Sequence, residues 1–207
     1  MTSSAASATF VDTLAARTDS SPLVRLGAVM FVTALTAAAA QISVPLPFTQ
    51  VPFTFQPMVV LLGGLALGSR LGPASQVIYL ALGIAGLPVF AASATLPPGA
   101  LRLLGPTGGY LMSYPIAAFI AGYLAERGFD RRYLTSVIAM LAGLLVVYAA
   151  GATWLALFAQ PARSAPMSLQ IALAAGVYPF VAADLVKLVA AAGILPGFWF
   201  LLGRTRR

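Results

Sequence analysis

Long apolar segments separated by prolines, glycines and isolated charges run along this chain from about residue 23 to residue 202. Only 8% of its 207 residues are charged and 60% are hydrophobic, whereas an ordinary soluble domain carries roughly 25% charged residues. A helix needs about 20 mostly apolar residues to cross the hydrocarbon core of a bilayer. The pattern therefore predicts an all-α integral membrane protein.

Six segments are suited to cross the membrane. They are predicted at Leu23–Val44, Gln56–Ser69, Gly72–Phe90, Gly108–Glu126, Tyr133–Ala159 and Ser168–Leu202. The second segment is short for a full crossing, and the sixth is long enough to contain a break, with Pro179 and Pro196 as candidate kinks. Residues 1–21 are predicted to form a flexible polar tail, and residues 22–207 a bundle of six transmembrane helices.

The basic residues predict the orientation of this bundle. With six spans and cytoplasmic N and C termini, nine of the twelve Lys and Arg residues lie on the cytoplasmic side. Only Arg102 and Arg163 then lie in outer loops, and Lys187 lies inside the sixth span. This distribution follows the positive-inside rule, so membrane orientation explains the net charge of +7 better than nucleic acid binding does.

Two charges inside the sixth predicted span, in the stretch PFVAADLVKLVAAAG, need an explanation. Asp184 and Lys187 are three residues apart, so they share a helix face. A charge near the middle of a membrane costs at least ~2.5 kcal/mol, and such residues are functional candidates by default. A lysine cation and two carboxylate oxygens would suit a small molecule that carries a carboxylate or N–H donors.

Two other interpretations of the pair remain open. The two charges can simply neutralise each other and fix the rotation of the helix. Alternatively, a membrane carboxylate can load and release a proton, as in a proton relay. The lysine one turn away weakens the relay interpretation because it favours the charged carboxylate.

The first predicted outer loop, VPLPFTQVPFTFQP, holds four prolines and three phenylalanines but no charge. Such a segment cannot form a regular helix, and it can fold down over a cavity mouth with Gln50, Thr54 and Gln56 as hydrogen-bonding groups. The alternative is a loop whose rings rest among the lipid headgroups. Sequence alone leaves both interpretations open.

The second predicted outer loop, AASATLPPGALRLLGPTGGYLM, carries Arg102 and ends in a glycine-rich turn at the start of the fourth span. Thr107 can cap that helix, and Gly108 and Gly109 allow close approach of backbone or ligand. The helix N-terminus would favour an anion. The motif is not a Walker loop, because the lysine and the Ser/Thr that should follow the glycine are missing.

Small residues recur at four-residue spacing in the first two spans. Ala34 and Ala38, Thr36 and Ala40, and Gly64 and Gly68 are such pairs, which indicate close helix approach. Packing within the chain accounts for most pairs of this kind. The alanine-rich stretch TALTAAAAQ can also receive a partner helix.

Four motifs in this order, VPFTFQP, LGIAGLPVF, LLGPTGGYL and YPFVAADLVKL, resemble the BioY family, the biotin-specific S components of energy-coupling factor (ECF) transporters. The resemblance covers nearly the whole chain after the tail. It implies a six-helix subunit of a prokaryotic cell membrane that binds biotin from the outer side. It also implies a membrane scaffold (T component) and two ATP-binding subunits as partners, with ATP used by those partners and no cofactor or metal in this chain.

The resemblance also implies roles for individual residues. Asp184 and Lys187 would contact biotin, and the further substrate-binding candidates are Tyr178, Gln56, Arg102, Gly109, Tyr110 and Phe90. Charge complementarity favours Lys187 or Arg102 for the valerate carboxylate and Asp184 for the ureido N–H groups. Phe90 could wall the apolar thiophane ring, and Ala34 and Ala38 best match the family's scaffold-contact motif.

Two other functional classes compete with an energised capture subunit. One is an autonomous, proton-coupled secondary transporter for a small carboxylate vitamin, with Asp184 as the relay. The other is an intramembrane enzyme, which needs a convergent nucleophile, base or metal site. The sequence contains no His and no Cys and has one carboxylate in a predicted span, so the enzyme interpretation is disfavoured.

Overall fold

The computed structural model describes residues 8–93, 96–157 and 168–204. In these ranges the fold is helical apart from one small sheet. The elements are α1 (Phe10–Ala15), α2 (Ser21–Gln41), β1 (Ser43–Val44), β2 (Phe53–Thr54), α3 (Gln56–Ile84), α4 (Leu101–Leu104), α5 (Gly108–Ala125), a 3-10 turn (Phe129–Arg131), α6 (Tyr133–Leu157), α7 (Leu169–Gly176), α8 (Tyr178–Ala191) and α9 (Ile194–Arg204).

Helix α3 is a hairpin of two helical arms, residues 56–67 and 69–84. Gly68 lies between them with φ 84°, a left-handed conformation that glycine adopts without a Cβ penalty. A Cβ on Gly72 would lie 3.1 Å from the Cα of Gly64, and Gln56 is hydrogen bonded to Tyr79. A straight helix would hold Gln56 and Tyr79 about 34 Å apart. The second and third predicted segments are therefore the two arms of this hairpin.

Helix α5 packs along the hairpin through small residues. Ala117, Ala118 and Ala121 are completely buried there, and a Cβ on Gly64 would lie 2.6 Å from the carbonyl oxygen of Ala118. Such close contact of backbones is typical of helices that associate in membranes. Gly64 and Gly68, which the sequence presents as one small-residue pair, have different roles. Gly64 allows close helix packing, and Gly68 makes the turn of the hairpin.

The polar tail predicted for residues 1–21 contains a short packed helix in its described second part. Helix α1 buries Val11 and Ala15, and the ring of Phe10 packs edge-on against Trp199 of α9, with 5.8 Å between ring centroids. The polar composition of the tail concealed a short apolar face that packs against the bundle. Residues before position 8 lie outside the described part of the chain.

The long sixth segment is divided into α7, α8 and α9, as its length predicted. The breaks fall at Val177 and at 192–193, and Pro179 and Pro196 lie in the first turns of α8 and α9. A proline in the first helical turn loses no intrahelical hydrogen bond. The two prolines therefore mark helix starts and not kinks inside a continuous helix.

Four helical stretches are long and apolar enough to cross a membrane in the described ranges. They are Ser21–Gln41, Gln56–Ile84, Tyr133–Leu157 and the continuous run Tyr178–Gly203. The second of these is the hairpin, which by its contacts doubles back on itself. The fold is therefore that of a multi-pass helical membrane protein, and the count of six crossings with cytoplasmic termini stays a prediction.

Candidate ligand-binding site

A cavity of about 270 Å³ lies at the end of the bundle where the two predicted outer loops meet. Its volume is just below the range of about 300–1,000 Å³ that is typical of small-molecule sites. The wall combines convergent polar groups with apolar side chains. The polar groups include Gln56, Arg102 and Asp184, and the apolar ones include Val51, Phe90, Leu111 and Phe180. This composition is that of a ligand-binding cavity.

One side of the cavity is formed by the segment from Ser43 to Thr54, which we call the lid. Its strands β1 and β2 pair antiparallel, and the connecting residues place Thr49, Gln50 and Val51 on the cavity. Phe48 points away from it and is 64% exposed. The prediction that this loop covers a cavity is supported, while part of its apolar surface faces outward as the interfacial interpretation required.

Asp184 and Lys187 form a buried ion pair on α8, with 2.5 Å between Lys187 Nζ and Asp184 Oδ1. Tyr148 of α6 donates a hydrogen bond of 2.6 Å to the other carboxylate oxygen, Oδ2. Lys187 Nζ also donates a hydrogen bond of 2.6 Å to the backbone carbonyl oxygen of Thr54 in the lid. Both charges are thus partnered, as buried charges must be to avoid a large desolvation penalty.

Arg102 brings a second cation to the cavity. It belongs to the short helix α4, lines the cavity and is buried, with 9% of its surface exposed. Its Nε and Nη1 groups donate to the carbonyl oxygens of Pro97 and Ala91, at 3.0 and 2.8 Å. These two bonds fix the guanidinium and use neutral acceptors, so its positive charge is available to an anionic ligand.

Gln56 is held at the cavity by a hydrogen bond of 2.6 Å from its Nε2 to the hydroxyl oxygen of Tyr79. The same hydroxyl donates to the carbonyl oxygen of Val89 at 3.1 Å, and the Tyr79 ring packs edge-on against Phe90. Tyr79 is completely buried and joins the start of the hairpin to the segment that follows its second arm. It therefore fixes the positions of two cavity residues, Gln56 and Phe90.

The glycine-rich turn places Tyr110 and not Gly109 at the cavity. The Tyr110 hydroxyl donates to the carbonyl oxygen of Gly176 at 2.7 Å, a carbonyl at the break between α7 and α8. Gly109 faces α6, where an added Cβ would lie 2.6 Å from the carbonyl oxygen of Ala150. Thr107 lines the cavity and precedes α5, but its side chain makes no capping hydrogen bond.

Five predicted substrate-binding residues therefore meet at one cavity, namely Asp184, Gln56, Arg102, Tyr110 and Phe90. Three others lie elsewhere. Gly109 packs against α6, and Tyr178 is 62% exposed at the start of α8. Lys187 lies behind the lid strand, beside a separate gap of about 10 Å³, and is not part of the cavity wall.

The two alanines predicted to contact a partner lie on the outside of the bundle. Ala34 and Ala38 are both exposed on α2, whereas Thr36 and Ala40 of the alternative register are completely buried. The first register is therefore the one available to another helix, and the second packs within the chain. The contact of Ala34 and Ala38 with a partner stays a prediction.

Sequence reasoning missed two tyrosines of the site and the backbone contact of Thr54, which it named only as a hydrogen-bonding group of the first outer loop. Tyr148 bonds Asp184, Tyr79 bonds Gln56, and Thr54 offers its carbonyl oxygen to Lys187. A tyrosine inside an apolar helix is the sequence signal that could have identified the first two, because a buried hydroxyl needs a partner. A backbone carbonyl carries no sequence signal at all.

Known proteins share this architecture along most of the chain. The model of the BioY family matches residues 12–204. The chain belongs to the BioY family. This is a family of transporters and not of enzymes, which removes the intramembrane enzyme from the competing interpretations.

Individual BioY relatives match the chain over most of their length. A protein named as a probable biotin transporter BioY from Pyrococcus horikoshii is 45% identical over 158 residues, which cover 76% of this chain and 85% of the relative. The biotin transporter BioY of Thermotoga maritima is 39% identical, with 77% and 86% coverage.

A solved structure has a similar fold. It is the crystal structure of the S component for biotin from an ECF-type ABC transporter, with a TM-score of 0.75 and 26% sequence identity. The match covers 87% of this chain and 93% of that one. The resemblance noted from the four sequence motifs is thereby confirmed.

Proposed function

We propose that this chain is the biotin-binding S component of an ECF-type transporter, which captures biotin at the outer face of a prokaryotic cell membrane. The observation that carries the proposal is the lid-covered cavity in which Asp184, Arg102 and Gln56 converge. Relatives that are named biotin transporters support biotin as the ligand. The bicyclic ring of biotin is compact, and its apolar and polar parts match the mixed wall of the cavity.

Charge and position assign the two ends of biotin within this cavity. Asp184 offers acceptor oxygens to the N–H groups of the ureido ring, and Arg102 is the cation that would receive the valerate carboxylate. Gln56 and Tyr110 supply further hydrogen bonds, and Phe90 packs against the thiophane ring. Lys187, Gly109 and Tyr178 would act indirectly, because they are not part of the cavity wall.

Transport would require partners that this chain binds in the membrane. The proposal includes a scaffold subunit (T component) and two ATP-binding subunits that use ATP, with six crossings and cytoplasmic termini in this chain. The exposed alanines Ala34 and Ala38 support α2 as the helix that contacts the scaffold. Biotin would then pass inward with energy from ATP hydrolysis outside this chain.

Equilibrium binding of labelled biotin to the detergent-purified chain tests the ligand. We expect tight, ATP-independent binding that Asp184→Asn and Lys187→Ala weaken at least about 100-fold, since buried charged groups carry such effects. Asp12→Asn is the matched control, because it also breaks an ion pair, with Arg25, but at an exposed site on α1. Wild-type protein that does not bind biotin would overturn the proposed substrate.

Uptake by proteoliposomes separates the proposal from an autonomous proton-coupled carrier. The S component alone should not accumulate biotin when a pH gradient is imposed. Accumulation that depends on the gradient and is lost in Asp184→Asn would favour the secondary transporter. The ion pair of Asp184 with Lys187 argues against that mechanism, because the carboxylate is already partnered by a cation.

Co-purification with a scaffold subunit tests the contact on α2. Ala38→Leu should reduce recovery of the complex while leaving biotin binding unchanged, because a larger side chain keeps two helices apart. Ala149→Leu is the matched control, since Ala149 is likewise exposed but lies on α6. Equal recovery for both variants would contradict the proposed contact.

A further inference from the structure

Helix α6 carries Tyr148, Gly151 and Trp154 at intervals of three residues, so the three positions share one face of the helix. Tyr148 donates to Asp184 of the cavity wall, and Trp154 Nε1 donates to the carbonyl oxygen of Gly105 at 2.9 Å. Gly151 lies between the two aromatic residues and is buried. This face of α6 therefore contacts both the cavity and the glycine-rich turn before α5.

The ring of Tyr110 fills the space that the absent side chain of Gly151 leaves open. A Cβ on Gly151 would overlap the Cδ1, Cε1 and Cζ atoms of that ring, and a Cβ on Gly176 would overlap its hydroxyl oxygen. The same hydroxyl donates to the carbonyl oxygen of Gly176 at the end of α7. Two glycines on different helices thus form a recess that holds the Tyr110 side chain.

The packing between α5 and α6 is reciprocal at this point. Trp154 of α6 lies against Gly109 of α5, where an added Cβ would be 2.8 Å from Trp154 Cγ. Tyr110 of α5 lies in the same way against Gly151 of α6. Each aromatic side chain packs on a glycine of the opposite helix, and such close packing leaves no room for a side chain at either glycine.

Tyr110 lies between this recess and the cavity. The tyrosine lines the cavity, whereas Gly151 is not part of the cavity wall. A methyl group at position 151 would therefore push the ring away from α6 and into the cavity. The cavity volume of about 270 Å³ is already small for a ligand site, so a displaced ring would occupy space that a ligand needs.

We propose that Gly151 is a specificity-determining residue that acts through Tyr110, because the recess behind the ring keeps the cavity wide enough for a rigid bicyclic ligand. The packing of Tyr110 on Gly151 does not depend on the identity of the ligand. The effect on biotin does, and it rests on the proposed function. Gly176 completes the recess, because it leaves room for the tyrosine hydroxyl and accepts its hydrogen bond.

Thermal melts of the ligand-free protein in detergent test the packing. Gly151→Ala should lower the melting temperature by about 3–10 °C, because the added methyl group overlaps the Tyr110 ring. In protein that carries Tyr110→Ala, which removes the ring, Gly151→Ala should leave the melting temperature unchanged or raise it by about 1–3 °C, since alanine favours a helix over glycine.

Gly143→Ala is the matched control in these melts. Gly143 is likewise a buried glycine of α6, but a Cβ there would overlap Leu61 and not Tyr110. Tyr110→Ala should therefore not reduce the cost of Gly143→Ala. If Gly151→Ala alone gives no folded protein, recovery of folded protein by Tyr110→Ala supports the proposal, and failure to recover it counts against the proposal.

The affinities for two ligands test the specificity. Biotin has two fused rings, whereas desthiobiotin keeps the ureido ring and the carboxylate but lacks the sulfur that closes the second ring. Gly151→Ala should weaken the binding of biotin at least about tenfold and that of desthiobiotin at most about threefold, because the smaller and more flexible ligand adapts to a narrower cavity. Gly143→Ala should change both affinities by the same factor, since Gly143 is not part of the cavity wall.

The two measurements can fail separately. An equal fall in melting temperature for Gly151→Ala with and without the Tyr110 ring would overturn the packing argument. Equal weakening of biotin and desthiobiotin binding would overturn the role in specificity. A parent protein that does not bind biotin would overturn the effect on biotin together with the proposed function, and the melts would still decide whether Gly151 positions Tyr110.

Discussion

The two ends of the bundle are held together by different interactions. At the cavity end, long polar side chains reach between elements, as in the bonds of Lys187 to Thr54 and of Tyr79 to Gln56. At the opposite end, which we call the turn end, backbones pack directly. There the turn at Gly68 lies against α5, and the side chain of Glu126 accepts hydrogen bonds from the backbone and hydroxyl of Ser69 at 2.8 and 2.7 Å.

This difference indicates that folding stability and ligand binding depend on opposite ends of the bundle. Close backbone packing leaves no space and tolerates few substitutions. A cavity lined by polar groups costs stability unless each group has a partner, and here Asp184, Arg102 and Gln56 all have one. Substitutions at the turn end should therefore disrupt folding, and those at the cavity end should mainly disrupt binding.

The largest expected effect is at the turn end, for Gly122→Val. A side chain at Gly122 would overlap the backbone of Gly68 and Ser69, which cannot move without opening the hairpin. We expect loss of most monodisperse protein in size-exclusion chromatography. Gly27→Ala on α2 is the control, because nothing lies within 4 Å of an added Cβ there, and it should be neutral or stabilising by about 0.5–1 kcal/mol. A well-folded Gly122→Val protein would remove the contrast between the two ends.

The second-largest expected effect is a loss of biotin affinity at the cavity end, for Arg102→Met. Loss of the guanidinium should weaken biotin binding by about 10- to 100-fold, in keeping with ~1.5–3 kcal/mol for a charged hydrogen bond, with a small change in melting temperature. Arg127→Met is the matched control, since Arg127 lies over the ring of Tyr123 near the turn end. Isothermal titration calorimetry with biotin measures the affinity of each variant. Equal affinities for the two variants would show that the cavity cation is not used.

Tyr79→Phe should have a smaller effect that combines stability and binding. The substitution deletes the hydroxyl that joins Gln56 to Val89, and it leaves a buried amide donor unpaired, at a cost of about 1–3 kcal/mol. Adding Gln56→Leu should recover part of the lost stability because both polar partners are then removed. Thermal melts of the double-mutant cycle measure the coupling, with Tyr123→Phe as the half-exposed control. Additive effects would contradict the direct bond.

The smallest effect concerns the pH dependence of stability at the turn end. Burial raises the pKa of Asp130 above its ordinary value of 3.8, although the hydrogen bond from Trp199 lowers it. A carboxyl group with a raised native pKa stabilises the fold fully below pH 3.8, and this contribution is lost as the pH rises through the native pKa. Asp130→Asn keeps an acceptor for Trp199 and should flatten the fall in melting temperature as the pH rises above about 4. Parallel pH profiles of parent and variant would contradict this assignment.

The sequence predicted helices well where their ends carry a local signal. Helix α3 begins at Gln56, and α5 and α6 begin at Gly108 and Tyr133, all as predicted. Pro179, predicted as a possible kink, lies in the first turn of α8. Helix α1 was missed although Thr9 and Asp12 form a capping pair in front of its apolar face. Six residues are too few to stand out in a polar tail.

The sequence predicted those residues of the candidate site that stand out by residue type or by spacing. Asp184 and Arg102 were recognised because a charge is rare in such a sequence, and both line the cavity. Tyr178 was chosen for its nearness to Asp184, but six residues of helix turn it about 240° around the axis, to the exposed side. The partners Tyr148 and Thr54 lie on other elements, so only the folded chain brings them to the pair.

The shortness of the first hairpin arm has a consequence for the lipid environment. Residues 56–67 extend about 18 Å along a helix axis, about 12 Å less than the thickness of a typical hydrocarbon core. If this arm crosses the bilayer as predicted, with the turn end at one surface, the lid that precedes it would lie at acyl-chain depth, where irregular backbone is tolerated only when protein covers it. Under the proposed function, membrane thickness would then affect ligand capture, because a thinner bilayer would bring the cavity mouth closer to water.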